Sequence, residues 1–540
     1  MSELSPATKK LISQYKLWAK SLQPREGITT IHVDEVASKV AAFYEKIRGI
    51  IDWREEHLLK IGAVERMLKR RLFAKMDLVS ATFSNDPIAE PLVFDLIRGG
   101  IFPNDAIEET KIQEVQKIID KYVFIINNSP QNKEKSRLRL YHWLSSIAAC
   151  EIEETLNPSV KERALIDYMF ELMREKIKVN EGILKIGGLS EEEKNVQIYI
   201  AVQRALFKLD SQVISYHLLR YWFTQWPDIP QSELNEITGA IFTLWQNIEK
   251  ELNHPLADKF YHVCERYDTA YLIMGDVLSE EPEKIEEKIS NPENLEAQAK
   301  KSYTTRLKTL KSRLGRAALY ATISIFITKI AIALAIEIPL DKYLFGQLNS
   351  FAIMIDALFP PLLMFFLIAT IRPPKKRNLD LVVMEIMKIA YAREKKDVYE
   401  IRIEKKKGVI INFFVSLFYL ISFLATLGII IWALYKLNFP IISYFVFIIF
   451  ISLIAFAGMR LRQRSKELDI TEEKEGFLNM ILDLFALPLI QVGNWLTVHW
   501  KKYNIISALF NALIDMPFSV FVEFVEQWRY FLKEKKEKIH

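Results

Sequence analysis

The chain has 540 residues, of which 72 are Lys or Arg and 67 Asp or Glu, for a formal net charge of +5. So small an excess over such a length does not imply nucleic-acid binding. Two cysteines, Cys150 and Cys264, cannot build a disulfide framework and fit a reducing compartment; 17 glycines, against an average usage of about 7%, leave little material for phosphate-cradling loops and favour an all-α fold.

A mean hydropathy of +0.07 averages two unlike halves, a polar one and a strongly apolar one. The opening residues lack an apolar core followed by small residues, so they do not read as a secretory signal and the first domain, 1–278, is expected to stay in the cytoplasm. Within it, Val36, Val40, Phe43, Ile47, Ile50, Leu58, Ile61, Leu68 and Leu72 recur mostly at spacings of three and four, which predicts a long amphipathic helix. Arg54 interrupts its stripe, and Gly49 and Gly62 each lower helix propensity by about 1 kcal/mol, so a bend or break is expected there. Asn85-Asp86-Pro87, Gly99-Gly100, Asn157-Pro158, Gly187-Gly188 and Asn253-His254-Pro255 punctuate further helices. Ser190 and Glu193 form a capping box that starts a helix running from about Glu191 toward Trp226, where Pro227 and Pro230 stop it. Roughly eight or nine such helices fill the domain, as in a bundle or an irregular solenoid. Residues 279–316, Glu-rich and then basic, read as a charged linker helix leading to a membrane.

From residue 317 the solvent preference changes. Apolar runs at 317–338, 350–371, 409–435 and 439–459 are each close to or above the about 20 residues that a bilayer-crossing helix needs. Lipid offers no backbone partners, so such runs must be helical. The first span is preceded by Lys300, Lys301, Arg306, Lys308, Lys311, Arg313 and Arg316. The 372–408 loop carries Arg372, Lys375, Lys376, Arg377 and Lys405 to Lys407; Arg460, Arg462, Arg464 and Lys466 follow the fourth span. The other two connections hold only Lys342 and Lys436. Basic flanks stay inside, so both termini are expected in the cytoplasm and the protein in the cell membrane.

The tail, 460–540, contains two amphipathic stretches. One begins with Phe477, Met480, Ile481, Leu484 and Phe485, interrupted by Asp483; the other, 505–525, includes Asp515 and Glu523. Trp495, Trp500, Tyr503, Trp528 and Tyr530 favour the headgroup level. Were both stretches to span, Lys501 and Lys502 would lie outside against the charge rule, so both are expected as interfacial helices on the cytoplasmic leaflet.

The motifs of P-loop enzymes, zinc proteases, Ser hydrolases and dinucleotide-binding proteins do not occur. His254, His262 and Cys264 are near neighbours, but positions 262 and 264 sit about 200° apart around a helix and cannot share a metal. Tyr216, His217, Tyr221, Trp222, Phe223 and Trp226 suit core packing better than a stacking surface. No catalytic, cofactor-binding or metal-ligating residue is proposed, and no cofactor.

Charge inside the spans carries more weight, being expensive and usually paired. Lys329 lies about 13 Å of helix from the outer end of the first span, and Asp356 about 9 Å into the second. Antiparallel neighbours would bring the two together, with Glu337 near the rim and the Pro360-Pro361 kink alongside. Such a pair either fixes helix register or relays protons or ions. The expected function is a non-catalytic, membrane-anchored helical platform or assembly partner. Its partners would be the lipid bilayer, other proteins and further copies of itself, but no nucleic acid. The alternative is a small oligomeric transporter or channel using Lys329, Glu337 and Asp356; a membrane-embedded enzyme has less support.

Overall fold

The computed structural model describes residues 3–22, 27, 29–33, 56–74, 76–77, 82–83, 87–130, 134–179, 189–345, 350–371, 374, 376–392, 397–401, 409–470, 477–503 and 528. They are helical almost throughout and cluster into two compact units. One takes in Glu3–Glu287 and Ile389–Ile401, the other Lys288–Lys388 and Arg402–Leu509.

The first unit begins with α1 (Pro6–Ser21). Pro6 stands at its first position, where a missing N–H costs nothing, and the Ser5 hydroxyl accepts from the Thr8 amide at 3.2 Å. Then follow α2 (Glu56–Ala74), a two-residue hairpin of β1 (Met76–Asp77) and β2 (Thr82–Phe83), α3 (Ala89–Arg98), α4 (Thr110–Asn128), α5 (Glu134–Leu156) and α6 (Val160–Lys176). The stretch 36–55 of the expected long amphipathic helix lies outside the described residues; its remainder is α2, with Ile61, Leu68 and Leu72 buried. β3 (Ile177–Val179) comes next, then α7 (Glu191–Phe207), α8 (Ser211–Trp222), α9 (Gln231–Leu252) and α10 (Ala257–Glu280).

The capping box forms: Ser190 Oγ accepts from the Glu193 amide at 3.0 Å, and Glu193 Oε2 from the Ser190 amide at 2.9 Å. The helix it starts does not run on to Trp226. Lys208 takes the left-handed conformation, φ 50°, and Asp210 Oδ1 accepts from the amides of Gln212 and Val213, starting a new helix. An aspartate three residues past a helix end is an N-cap signal that the apolar periodicity hides.

The core runs where α7 packs on α10 and α1 on α6. Gly275 permits the closest approach: a Cβ there would lie 2.9 Å from the Tyr15 hydroxyl and 3.2 Å from Leu165 Cδ2. The 389–401 segment belongs to this unit. β4 (Tyr399–Ile401) pairs in parallel with β3, Ile177 opposite Tyr399 and Val179 opposite Ile401. Ser5 N donates to Ala390 O at 2.9 Å, and the Tyr168 hydroxyl to Ile389 O at 2.9 Å.

In the second unit, after the short α11 (Ile285–Ile289), α12 (Pro292–Ile332) starts from an Asn291 cap. A π-helical turn, Ala333–Glu337, leads to α13 (Ile338–Phe345); then come α14 (Ser350–Ala369), α15 (Lys376–Ala390), α16 (Val409–Lys436), α17 (Ile441–Ser465) and α18 (Phe477–Tyr503). Among the described residues, four helices, Pro292–Leu340, Phe351–Ala369, Ile410–Lys436 and Ser443–Ser465, are long and apolar enough to cross a membrane by length and composition. Large apolar side chains such as Ile327, Phe366, Phe414, Leu424, Trp432 and Phe445 point outward from them, the reverse of a water-soluble surface. Asn378 ties one end of this unit together: its amide nitrogen donates to the Tyr303 hydroxyl at 2.9 Å and to Leu468 O, while its oxygen accepts from the Ile470 amide at 2.9 Å.

Residues 477–503 form the expected helix, but not one standing apart from the spans. α18 packs along α17 and touches α16. Arg462 Nη1 lies 3.4 Å from Asp483 Oδ1, and a Cβ on Gly493 would run into Ser452 O, so the two helices run antiparallel in close contact. The stretch 505–525 and Tyr530 lie outside the described residues.

Candidate functional site

Lys329 sits in the last turn of α12, Glu337 at the end of the π turn and Asp356 in the second turn of α14. The Lys329 ammonium lies 2.7 Å from Glu337 Oε1 and 2.5 Å from Asp356 Oδ2. All three are buried, Lys329 completely, and Phe450 of α17 offers its ring 5.2 Å from Nζ. Glu337, expected near the rim, is therefore a full member of the cluster. In an ideal α-helix, residues eight apart lie about 80° from alignment. The π turn, with its wider hydrogen-bonded ring, takes up part of that offset and turns Glu337 back over Lys329.

The cluster holds one amine and two carboxyls, so it is not a simple pair. Asp356 Oδ1 has no hydrogen-bond partner among the described residues. Pro360 and Pro361 lie inside α14 and carry no N–H, so the carbonyls of Asp356 and Ala357 lose their helical donors beside it.

Of the basic flanking residues, Arg313, Arg316, Arg377, Arg460, Arg462 and Arg464 are exposed. Lys376 opens α15; Arg372 and Lys375 lie outside the described residues. Trp495 is exposed and tilts against His499 with centroids 4.6 Å apart; Trp528 is also exposed. Trp500 lies in α18, its side chain outside the described set. His262 faces Glu265 at the surface while Cys264 is fully buried, and no group of three His, Cys, Asp or Glu among the described residues could hold a metal.

The first unit contains a cleft of 540 Å³ walled by α1, α4, α5, α6 and α8. Its floor is an ionic lattice. Glu154 binds both Arg163 and Arg220, the latter at 2.8 Å. Burial lowers the Arg163 guanidinium from its ordinary value, and burial raises the Asp167 carboxyl against the pull of Arg163. Deeper, Glu151 Oε1 accepts from Lys121 Nζ at 2.6 Å, while its Oε2 accepts from the Tyr122 hydroxyl at 2.7 Å and from Trp226 Nε1 at 3.2 Å. Burial pulls the Lys121 ammonium down, with Glu151 opposing, and pushes the Tyr122 hydroxyl up. At the lip, Lys117 and Asp167 make no ion pair or hydrogen bond among the described residues.

This cleft escaped the sequence reading. One signal was present: Lys121 falls on the buried stripe of α4, between Ile118 and Ile125, where a charge needs a buried partner. Trp226 and Tyr216 of the aromatic group are core residues beside that lattice, whereas Tyr221 is exposed and stacks on Tyr199 with centroids 5.1 Å apart. No protein-family model, curated protein or solved structure matches the chain.

Proposed function

We propose that the chain is a multi-pass membrane protein that holds a helical, partner-binding body at the cytoplasmic face of the cell membrane and catalyses no reaction. The observation that carries this reading is the charged cleft. Its floor sets Glu151 and Glu154 against Lys121, Arg163 and Arg220, Asp167 lies within the field of Arg163, and Lys117 at the lip makes no ion pair or hydrogen bond among the described residues. Such a surface suits a protein segment bearing both signs of charge, which would meet opposite charge at Lys117 and at Asp167.

The pairing of β3 with β4 supports the membrane arrangement. Both strands lie in one unit, which favours an even number of crossings between Val179 and Tyr399, as the two apolar helices between them would supply. The basic flanks favour the cytoplasmic side for the helical body. Affinity purification from native membranes is the test. Wild-type protein should retain a stoichiometric partner that the Lys117→Glu, Asp167→Lys double variant loses. A wild type purified alone, or a variant that keeps the same partner, contradicts the reading.

A second reading, an oligomeric proton or ion path through Lys329, Glu337 and Asp356, is favoured by the unpartnered Asp356 Oδ1 and the two carbonyls that the prolines free. Flux through reconstituted vesicles that Asp356→Asn abolishes would support it; wild-type vesicles without flux would remove it.

A further inference from the structure

We infer that α18 crosses the bilayer as a further membrane helix, with acyl chains against its outer face, so that Tyr503 emerges on the side opposite Lys466. Pro488 lies inside α18 and lacks an N–H, which deprives the Leu484 carbonyl of its helical donor. The Ser422 hydroxyl of α16 replaces it, donating to Leu484 O at 2.9 Å, while the Thr426 hydroxyl donates to Ser422 O at 2.9 Å and lies 3.3 Å from Phe485 O. In water the Leu484 carbonyl would be satisfied by solvent. Hydroxyls supplied from the middle of an apolar neighbour are the repair that a proline inside hydrocarbon requires.

The register along α17 gives the direction and the depth. Asp483 faces Arg462 and Gly493 faces Ser452, ten residues apart on each helix, about 15 Å. From Gly493 to Tyr503 the helix continues for a further ten residues, again about 15 Å, reaching the level of the 437–440 connection. Its 27 residues extend about 40 Å, against a hydrocarbon core of about 30 Å.

The segment 484–500 contains no Asp, Glu, Lys or Arg. Leu487, Trp495 and Val498 are exposed and lie within about 80° of one another around the axis, at least about 120° from Gly493; exposed Asn494 and exposed Gln491, which accepts from the Tyr419 hydroxyl of α16, share that side. The three apolar side chains continue the outward apolar surface of α16 and α17, so the occupant that fits them is lipid. Lys501 and Lys502 then share a side with Lys436, a charge placement that the three basic flanks outweigh.

The test is site-specific labelling of the full chain in intact cells with a membrane-impermeant maleimide. Cys150 and Cys264 are buried and give little background. Single cysteines would be placed at Asn438, Lys466 and Tyr503. A crossing helix predicts that Asn438→Cys and Tyr503→Cys react from the same face, with Lys466→Cys reacting only after permeabilisation. Tyr503→Cys reacting together with Lys466→Cys, or reacting from neither face, overturns the inference in favour of an interfacial or re-entrant helix.

Discussion

Replacing Lys329 should cost far more than replacing either carboxyl beside it. In Lys329→Met the side chain keeps its approximate length but Glu337 and Asp356 lose the cation that pairs with both of them among the described residues, in a site where all three residues are buried. Removing one partner from a buried ion pair costs about 3–5 kcal/mol because the remaining charge is uncompensated. Two carboxyls are stranded here, so the upper end applies, roughly five-thousand-fold in the folded-to-unfolded ratio. Glu337→Gln or Asp356→Asn instead leaves the ammonium with one carboxylate and an amide that still accepts a hydrogen bond, for a loss of about 1–2 kcal/mol. Reversible unfolding in mixed detergent micelles, followed by circular dichroism, would rank the three variants. Equal losses in all three, or a neutral Lys329→Met, would refute the argument that one amine compensates two acids.

Gly275→Leu should destabilise by about 1–3 kcal/mol or more in chemical denaturation, since even a Cβ meets the Tyr15 hydroxyl at 2.9 Å. Ser190→Ala removes the acceptor for the Glu193 amide and should cost about 1 kcal/mol, read as a shift in denaturation midpoint. Burial pushes the Asp268 carboxyl from 3.8 up to about 7, with Lys208 at 3.7 Å pulling it back. A raised folded-state value means the folded chain binds the extra proton, so this contribution is complete below about pH 4 and is lost as pH rises through 7, a span of about 4 kcal/mol. Denaturation at stepped pH should show that slope in the wild type and a flattened one in Asp268→Asn.

The apolar runs were legible because hydropathy is a property of consecutive residues. Lys329 and Asp356 could be matched because span ends set a common depth. Glu337 was named with the other two, but its direct contact with Lys329 was not legible because it depends on a π turn, and five ordinary helix formers, Ala333 to Glu337, give no sign of one. The halt at Lys208 was missed because the stripe on either side is continuous, although Asp210 marked it. The packing of α18 turned on Gly493 and Pro488, residues that read locally as weak points in a helix and become meaningful only against Ser452 and Ser422. The Glu151 and Glu154 lattice joins helices far apart in sequence, so no local pattern could assemble it.

The 41 residues of α12 pass from a charged to an apolar environment without interruption. In the membrane arrangement proposed above, a helix continuous across that seam would act as a lever with its fulcrum at the bilayer surface. Residues 292–316 make an arm of about 37 Å, so a tilt of roughly 10° in the apolar half sweeps Asn291 through about 6 Å. Lys329 lies in the apolar half, so in that arrangement a tilt that rearranged its two carboxylate contacts would be read as a larger displacement at the helix start.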